Sequence, residues 1–227
     1  MRLWTPPGRQ CRLIVLIALL IAIVSAIPSN GTSNSDAVAG EFNPARNIGD
    51  DAPVWSDLIG VDDQVHSLSE LQNQSVVVVV FTCNSCPYAV DLEDRLVKLS
   101  NELPNKNAAL VAINVNQIDD DRLPAMKSKA EAKRFKFSYL FDPTQKIARE
   151  FGAGYTPECF VLDDQRKIAY MGSFDDSPDG RNIQTSYVRD AVEAVLAGRR
   201  PAITETVPIG CRIRYERERR TRRAKSE

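Results

Sequence analysis

The sequence has a single histidine, His66, in 227 residues. That scarcity excludes a histidine-rich metal centre and leaves little room for a Ser/His/Asp hydrolase. No internal repeat is visible, so a solenoid is excluded. No apolar run reaches the 20 or so residues of a comfortable membrane span. The net charge of −1 conceals an asymmetry. Residues 27–211 hold 18 basic and 27 acidic side chains, while the last sixteen residues hold 8 basic and 3 acidic. An acidic domain therefore carries a basic tail. Hydrophobic content of 43% is ordinary for a soluble fold and excludes global disorder. About 200 residues suit one domain with a filled core.

Residues 1–26 read as an export signal. Arg2, Arg9 and Arg12 form a positive start, Leu13 to Val24 is apolar and uncharged, and Val24-Ser25-Ala26 resembles a small-residue cleavage site. An uncleaved anchor with transient membrane association is the competing reading. Cleavage after Ala26 removes Cys11 and leaves four cysteines in a disulfide-permissive compartment, periplasmic or extracellular. Residues 27–45, rich in Ser, Asn and Gly, read as a flexible linker. The domain is expected over 46–211 and the basic tail over 212–227.

Val76–Phe81, five valines and a phenylalanine, suits a central strand buried on both faces. A helical pattern follows over 88–103, then a second buried strand at Ala108–Asn114. A surface helix is expected over 123–137, a short strand at 139–141 and a short helix over 145–151 closed by Gly152. Residues 159–162 and 168–171 flank Asp163-Asp164-Gln165-Arg166 as a hairpin. A last helix covers Tyr187–Leu196, with Gly198 as its cap. Alternating strands and helices with a late hairpin predict an α/β fold, a mixed central sheet with helices on both faces.

The informative feature is Cys83-Asn84-Ser85-Cys86, placed where a buried strand turns into a helix. Cysteines at this spacing reach disulfide distance. The helix N-terminus favours a thiolate, so the first cysteine is expected to be exposed and acid-shifted. Cys83 is then the attacking thiolate and Cys86 the resolving thiol. A structural disulfide is the bland alternative, although so small a loop adds little stability. Half a zinc site is the other. Cys159, Cys211 and His66 are scattered, so no metal and no cofactor are expected.

A second signal is Tyr155-Thr156-Pro157-Glu158-Cys159. A proline just before an apolar strand suits a cis bond at the start of that strand, against an ordinary trans turn. Thr156 and Pro157 lying beside the thiols would let the Thr156 backbone pair with a substrate's main chain.

Together these residues resemble the thioredoxin superfamily and, within it, the redoxin branch of alkyl hydroperoxide reductase and thiol-specific antioxidant proteins. The likeness is to exported members with the site F-T-C-N-x-C-P-Y, here Phe81 to Tyr88. Gly49 to Pro53, Phe141 to Gln145, Thr156-Pro157-Glu158 and Gly210 to Ile213 extend it over residues 47–214. The resemblance implies a thioredoxin fold, an antioxidant or thiol–disulfide oxidoreductase role, and Pro157 as a cis proline.

Departures sharpen the reading. Ser85 stands where relatives often have histidine. Thr82 precedes Cys83 with no proline upstream, which argues against ordinary peroxiredoxin chemistry. Val76 to Val80 supply no acid for proton transfer to Cys86, so Glu158 is the candidate base, against a solvent-facing strand end. Cys159 and Cys211 are candidate auxiliary thiols, either a second pair or a relay to Cys86, against Cys159 as an inert buried thiol. His66 reads as a surface residue, and the tail as a solvated helix without nucleic-acid binding. The expected function is thiol–disulfide exchange on protein thiols and disulfides, with an unidentified redox partner. A thiol peroxidase using Cys83 is the first alternative, and a non-catalytic binding module with a structural disulfide the second.

Overall fold

The computed structural model describes residues 1, 2 and 40–216. The expected leader beyond Arg2, linker residues 27–39 and tail residues 217–227 lie outside this range. No helix among the described residues is long and apolar enough to cross a membrane.

The valine run becomes the spine of the sheet. All six residues of β3 (Val76–Phe81) are fully buried. Alternation sends Val76, Val78 and Val80 to one face and Val77, Val79 and Phe81 to the other. The first face is covered by α1 (Pro87–Glu102), α2 (Leu123–Lys133) and α4 (Tyr187–Leu196), through Leu92, Leu96, Met126 and Val188. The second is covered by α3 (Lys146–Phe151) and by Trp55 and Leu68. There Phe81, Phe151 and Phe160 meet edge to face, with centroids 4.9–5.8 Å apart.

β4 (Ala108–Asn114) and β5 (Ser138–Phe141) run parallel to β3, while β7 (Glu158–Leu162) pairs antiparallel with it and turns back through the late hairpin into β8 (Ile168–Gly172). β1 (Leu58–Gly60) and β2 (Val65–His66) extend the other edge, giving the order β2-β1-β5-β4-β3-β7-β8. A separate ribbon pairs β6 (Tyr155–Thr156) with β9 (Cys211–Arg212). The mixed sheet with helices on both faces agrees with the expected fold class. Because β3 and β4 are parallel, the loops leaving their C-terminal ends emerge on the same edge. The chemistry lies there.

Several boundaries move. The helix expected over 123–137 stops at Lys133, because Arg134 adopts φ +54° and turns the chain inward. Phe135 and Phe137 then stack on each other at 4.6 Å against the core instead of lining a helix surface. The linker ends sooner than read from composition: Asn43 is buried, its amide donating to the Phe151 carbonyl. The tail starts later, since Ile213 is buried and the Tyr215 hydroxyl donates to the Ala153 carbonyl at 2.5 Å.

Candidate active site

β3 ends at Phe81, and the chain crosses Thr82-Cys83-Asn84-Ser85 before α1 begins at Pro87. Cys86 occupies the N-cap, and Pro87 sits where no backbone donor is needed. Cys83 therefore precedes the helix and does not lie on its first turn. It is also not exposed: Cys83 is 3% and Cys86 2% accessible. Both thiols are reduced.

The loop is held by a residue that sequence reading missed. Asp121, fully buried, accepts the Asn84 N–H at 2.7 Å and the Ser85 N–H at 2.9 Å on one oxygen. Its other oxygen accepts the Ser85 hydroxyl at 2.7 Å and the Asn116 amide at 3.0 Å. Asn84 in turn donates to the Asp120 carbonyl at 2.8 Å and accepts the Tyr139 hydroxyl at 3.0 Å. Asn114, at the end of β4, donates to the Asp121 carbonyl at 2.9 Å. The residues between the cysteines are thus clamped from the neighbouring strand's loop. Ser85 spends its hydroxyl proton on Asp121, so its 3.8 Å approach to Cys83 gives the sulfur no donor.

Thr156 closes the site from the opposite side. The Thr156–Pro157 peptide is cis. The Thr156 hydroxyl lies 3.3 Å from Cys83 Sγ, and its carbonyl accepts from Cys86 Sγ at 3.0 Å. One residue therefore touches both sulfurs. The idea that the Thr156 backbone offers an open edge for substrate does not hold. Thr156 is buried, and its strand is already paired with β9, in register with Cys211.

The thiols differ from expectation in charge. The hydrogen bond between the sulfurs holds Cys86 down to about 5, helped by the Cys211 thiol and by the N–H groups of Ala89 and Cys211. The same bond, with burial and the Asp121 charge, pushes Cys83 up. The negative charge thus favours Cys86, where donors converge, rather than the first cysteine. A proton on Cys86 is also accommodated, since the Thr156 carbonyl is its acceptor and the Thr156 hydroxyl then donates to Cys83.

Glu158 is neither solvent-facing nor beside the thiols. It is 3% exposed, and one carboxylate oxygen accepts the Gly154 N–H at 2.7 Å and the Tyr155 N–H at 3.0 Å. Burial raises its pKa to about 7 against these two bonds. No hydrogen bond joins it to Cys83 or Cys86 among the described residues. Cys159, on the next residue of β7, points to the opposite face and is wholly buried, with its pKa raised by desolvation. It is not brought to Cys211. That residue instead packs against Cys83, Cys86 and Ala89. His66 bridges Asp62 and Glu70 far along the sheet's outer edge, at 3.1 and 2.9 Å.

Comparison with known proteins agrees with this architecture. A hypothetical protein from Sinorhizobium meliloti 1021 is 30% identical, with 77% of this chain and 97% of that one covered at a TM-score of 0.72. An uncharacterized conserved protein from Geobacillus kaustophilus is 32% identical, over 77% and 95% of the two chains, at 0.71. Peroxidoxin BcpB from Mycobacterium tuberculosis, 22% identical over 69% and 97%, shares the fold at 0.53. No curated protein matches the sequence. Residues 48–171, more than half the chain, match the model of the AhpC/TSA family, and with its thioredoxin-type fold and buried dithiol the chain belongs to that redox family.

Proposed function

We propose that the protein is a thiol–disulfide oxidoreductase that cycles Cys83 and Cys86 between dithiol and disulfide. The observation that carries this is a pair of free cysteines in one buried cluster, both held by Thr156, whose carbonyl accepts from Cys86 and whose hydroxyl lies 3.3 Å from Cys83. A structural staple needs no such arrangement. Cys83 attacks a substrate disulfide while Cys86 holds the proton against the Thr156 carbonyl. Cys86 then loses that proton and displaces the product from Cys83. Tyr88 and Ile209, both exposed, flank a small cleft at Pro157 and suit contact with a protein substrate. Protein disulfides as substrates, an external thiol partner and export through the leader complete the proposal; export rests on sequence alone.

The peroxidase reading has less support. Thr82 precedes Cys83 without an upstream proline in the strand, and Cys86 packs against Cys83 in the same buried cluster, which suits resolution of a mixed disulfide. The test is trapping. Cys86→Ser is expected to accumulate a mixed disulfide through Cys83 with an oxidised protein substrate, and Cys83→Ser is not. Trapping only through Cys86 would reverse the roles. Rapid peroxide loss with a sulfenic acid at Cys83, and no exchange, would establish the peroxidase.

A further inference from the structure

Cys211 lies on the last described strand, far in sequence from the dithiol, yet it completes the site. β9 lies antiparallel to β6 with Cys211 opposite Thr156, the residue that touches both sulfurs. Gly210 permits this approach, since a Cβ there would collide with the Thr156 carbonyl and the Pro157 nitrogen. The result is a cluster of Cys83, Cys86 and Cys211 around Ala89. Within it, Cys86 Sγ donates to the Thr156 carbonyl at 3.0 Å, Cys83 Sγ lies 3.3 Å from the Thr156 hydroxyl, and Cys211 packs against both cysteines. Of the three, Cys211 alone is partly exposed. Metal binding does not explain the cluster, because no group of three ligating side chains among the described residues is placed to hold an ion.

We propose that Cys211 is a third redox thiol, which exchanges with Cys86 and receives the external reductant. This rests on the Cys83–Cys86 cycle above and names the site where its electrons enter. Once Cys83–Cys86 has formed, the Cys211 thiol loses its proton and its sulfur attacks Cys86 Sγ. The Cys83–Cys86 bond breaks, the Cys86–Cys211 bond forms, and Cys83 leaves as a thiolate that takes up a proton. The step is an isomerisation and consumes no oxidant. An external dithiol then attacks Cys211 and frees Cys86 as a thiol. Its second thiol displaces Cys211, so two electrons pass to the protein and the donor leaves as a disulfide. Attack at Cys211 spares the reductant a route to two buried sulfurs.

The experiment oxidises the full chain with hydroxyethyl disulfide, quenches it with acid and maps disulfides by mass spectrometry. The wild type is expected to give Cys83–Cys86 together with Cys86–Cys211, and Cys83→Ser to give Cys86–Cys211 alone. Cys211→Ser is expected to keep Cys83–Cys86 but to be reduced by dithiothreitol roughly tenfold more slowly than the wild type. Wild type that cycles Cys83–Cys86 while Cys86–Cys211 is absent from both proteins, with Cys211→Ser reduced at the wild-type rate, overturns the third thiol and leaves the exchange function standing. Absence of every reversible disulfide in wild type removes both. Should Cys83→Ser not fold, the wild-type map and the Cys211→Ser rate decide the matter.

Discussion

Two buried carboxylates hold different parts of the backbone around the site, Asp121 the loop between the cysteines and Glu158 the stretch that leads into Thr156. Asp121 accepts four hydrogen bonds, three of them from the loop between the cysteines. Glu158 accepts two, both on one oxygen, from Gly154 and from Tyr155 at the start of β6. They are about equally buried. Burial alone therefore does not set what a carboxylate does; the number of donors around it does. Asp121 is the anchor of the reactive loop. Glu158, short of donors, is pushed up to about 7 and sits poised between its two charge states at neutral pH.

The sharpest way to break this contrast is Asp121→Ala. It leaves two part-buried backbone N–H groups, a hydroxyl and an amide without their acceptor, and a loss of about 4 kcal/mol is expected in urea unfolding. A loss below about 1 kcal/mol would mean that the loop holds itself. Glu158→Gln comes next. The folded pKa of Glu158 is raised above its unfolded value, so the wild type loses stability as pH rises from 4.5 to about 7. Glutamine does not titrate and keeps an acceptor oxygen. The variant is expected to gain up to ~3 kcal/mol relative to wild type between pH 4 and pH 8, read from paired urea melts. An unchanged difference across that range would place Glu158 in contact with water. The same variant with an unaltered pH–rate profile for disulfide exchange would remove Glu158 as the base for Cys86.

A smaller effect tests the reach of Asp121. The reduced protein is expected to carry one thiolate equivalent by pH 7, with an apparent ionisation near the value of about 5 that Cys86 takes, followed by absorbance at 240 nm. In Asp121→Asn the Cys83 thiol is expected to react faster with iodoacetamide at pH 8, since the opposing charge is gone. An unchanged rate would show the charge to be screened. The smallest effect belongs to the exposed counterpart. Burial works against the His66 charge, but Glu70 and Asp62 raise its pKa overall, so their stabilisation is present below pH 6.5 and fades above it. Both carboxylates face water, and His66→Ala is expected to cost under ~1 kcal/mol at pH 5.5 and less at pH 8.

The parts of this molecule that were legible in sequence are those with local causes. Val76–Phe81 announced a strand buried on both faces, and Tyr187–Leu196 announced its helix to the residue. The cysteine spacing located the chemistry. What was hidden depends on long-range pairing. β6 and β9 have two residues each, too few to show a period, and they exist because they pair with each other. Asp121 lies 36 and 37 residues from the groups it holds, inside an acidic triplet that reads as a solvated turn. One signal pointed to it: two consecutive buried strands, if parallel, bring their following loops together, so a polar residue after β4 faces the loop after β3. The charge on Cys86 was hidden for the same reason, since one of its donors arrives on β9.

Gly210 gives the site a history as well as a shape. The dithiol is synthesised early in the chain, and the strand that Gly210 allows to close over Thr156 is made late. Until β9 docks, Cys86 lacks the donors that Cys211 brings, and the two cysteines are an ordinary CxxC on a growing chain. The cluster around the dithiol thus depends on a segment made long after the cysteine pair itself, and a chain cut before Gly210 is expected to lack it.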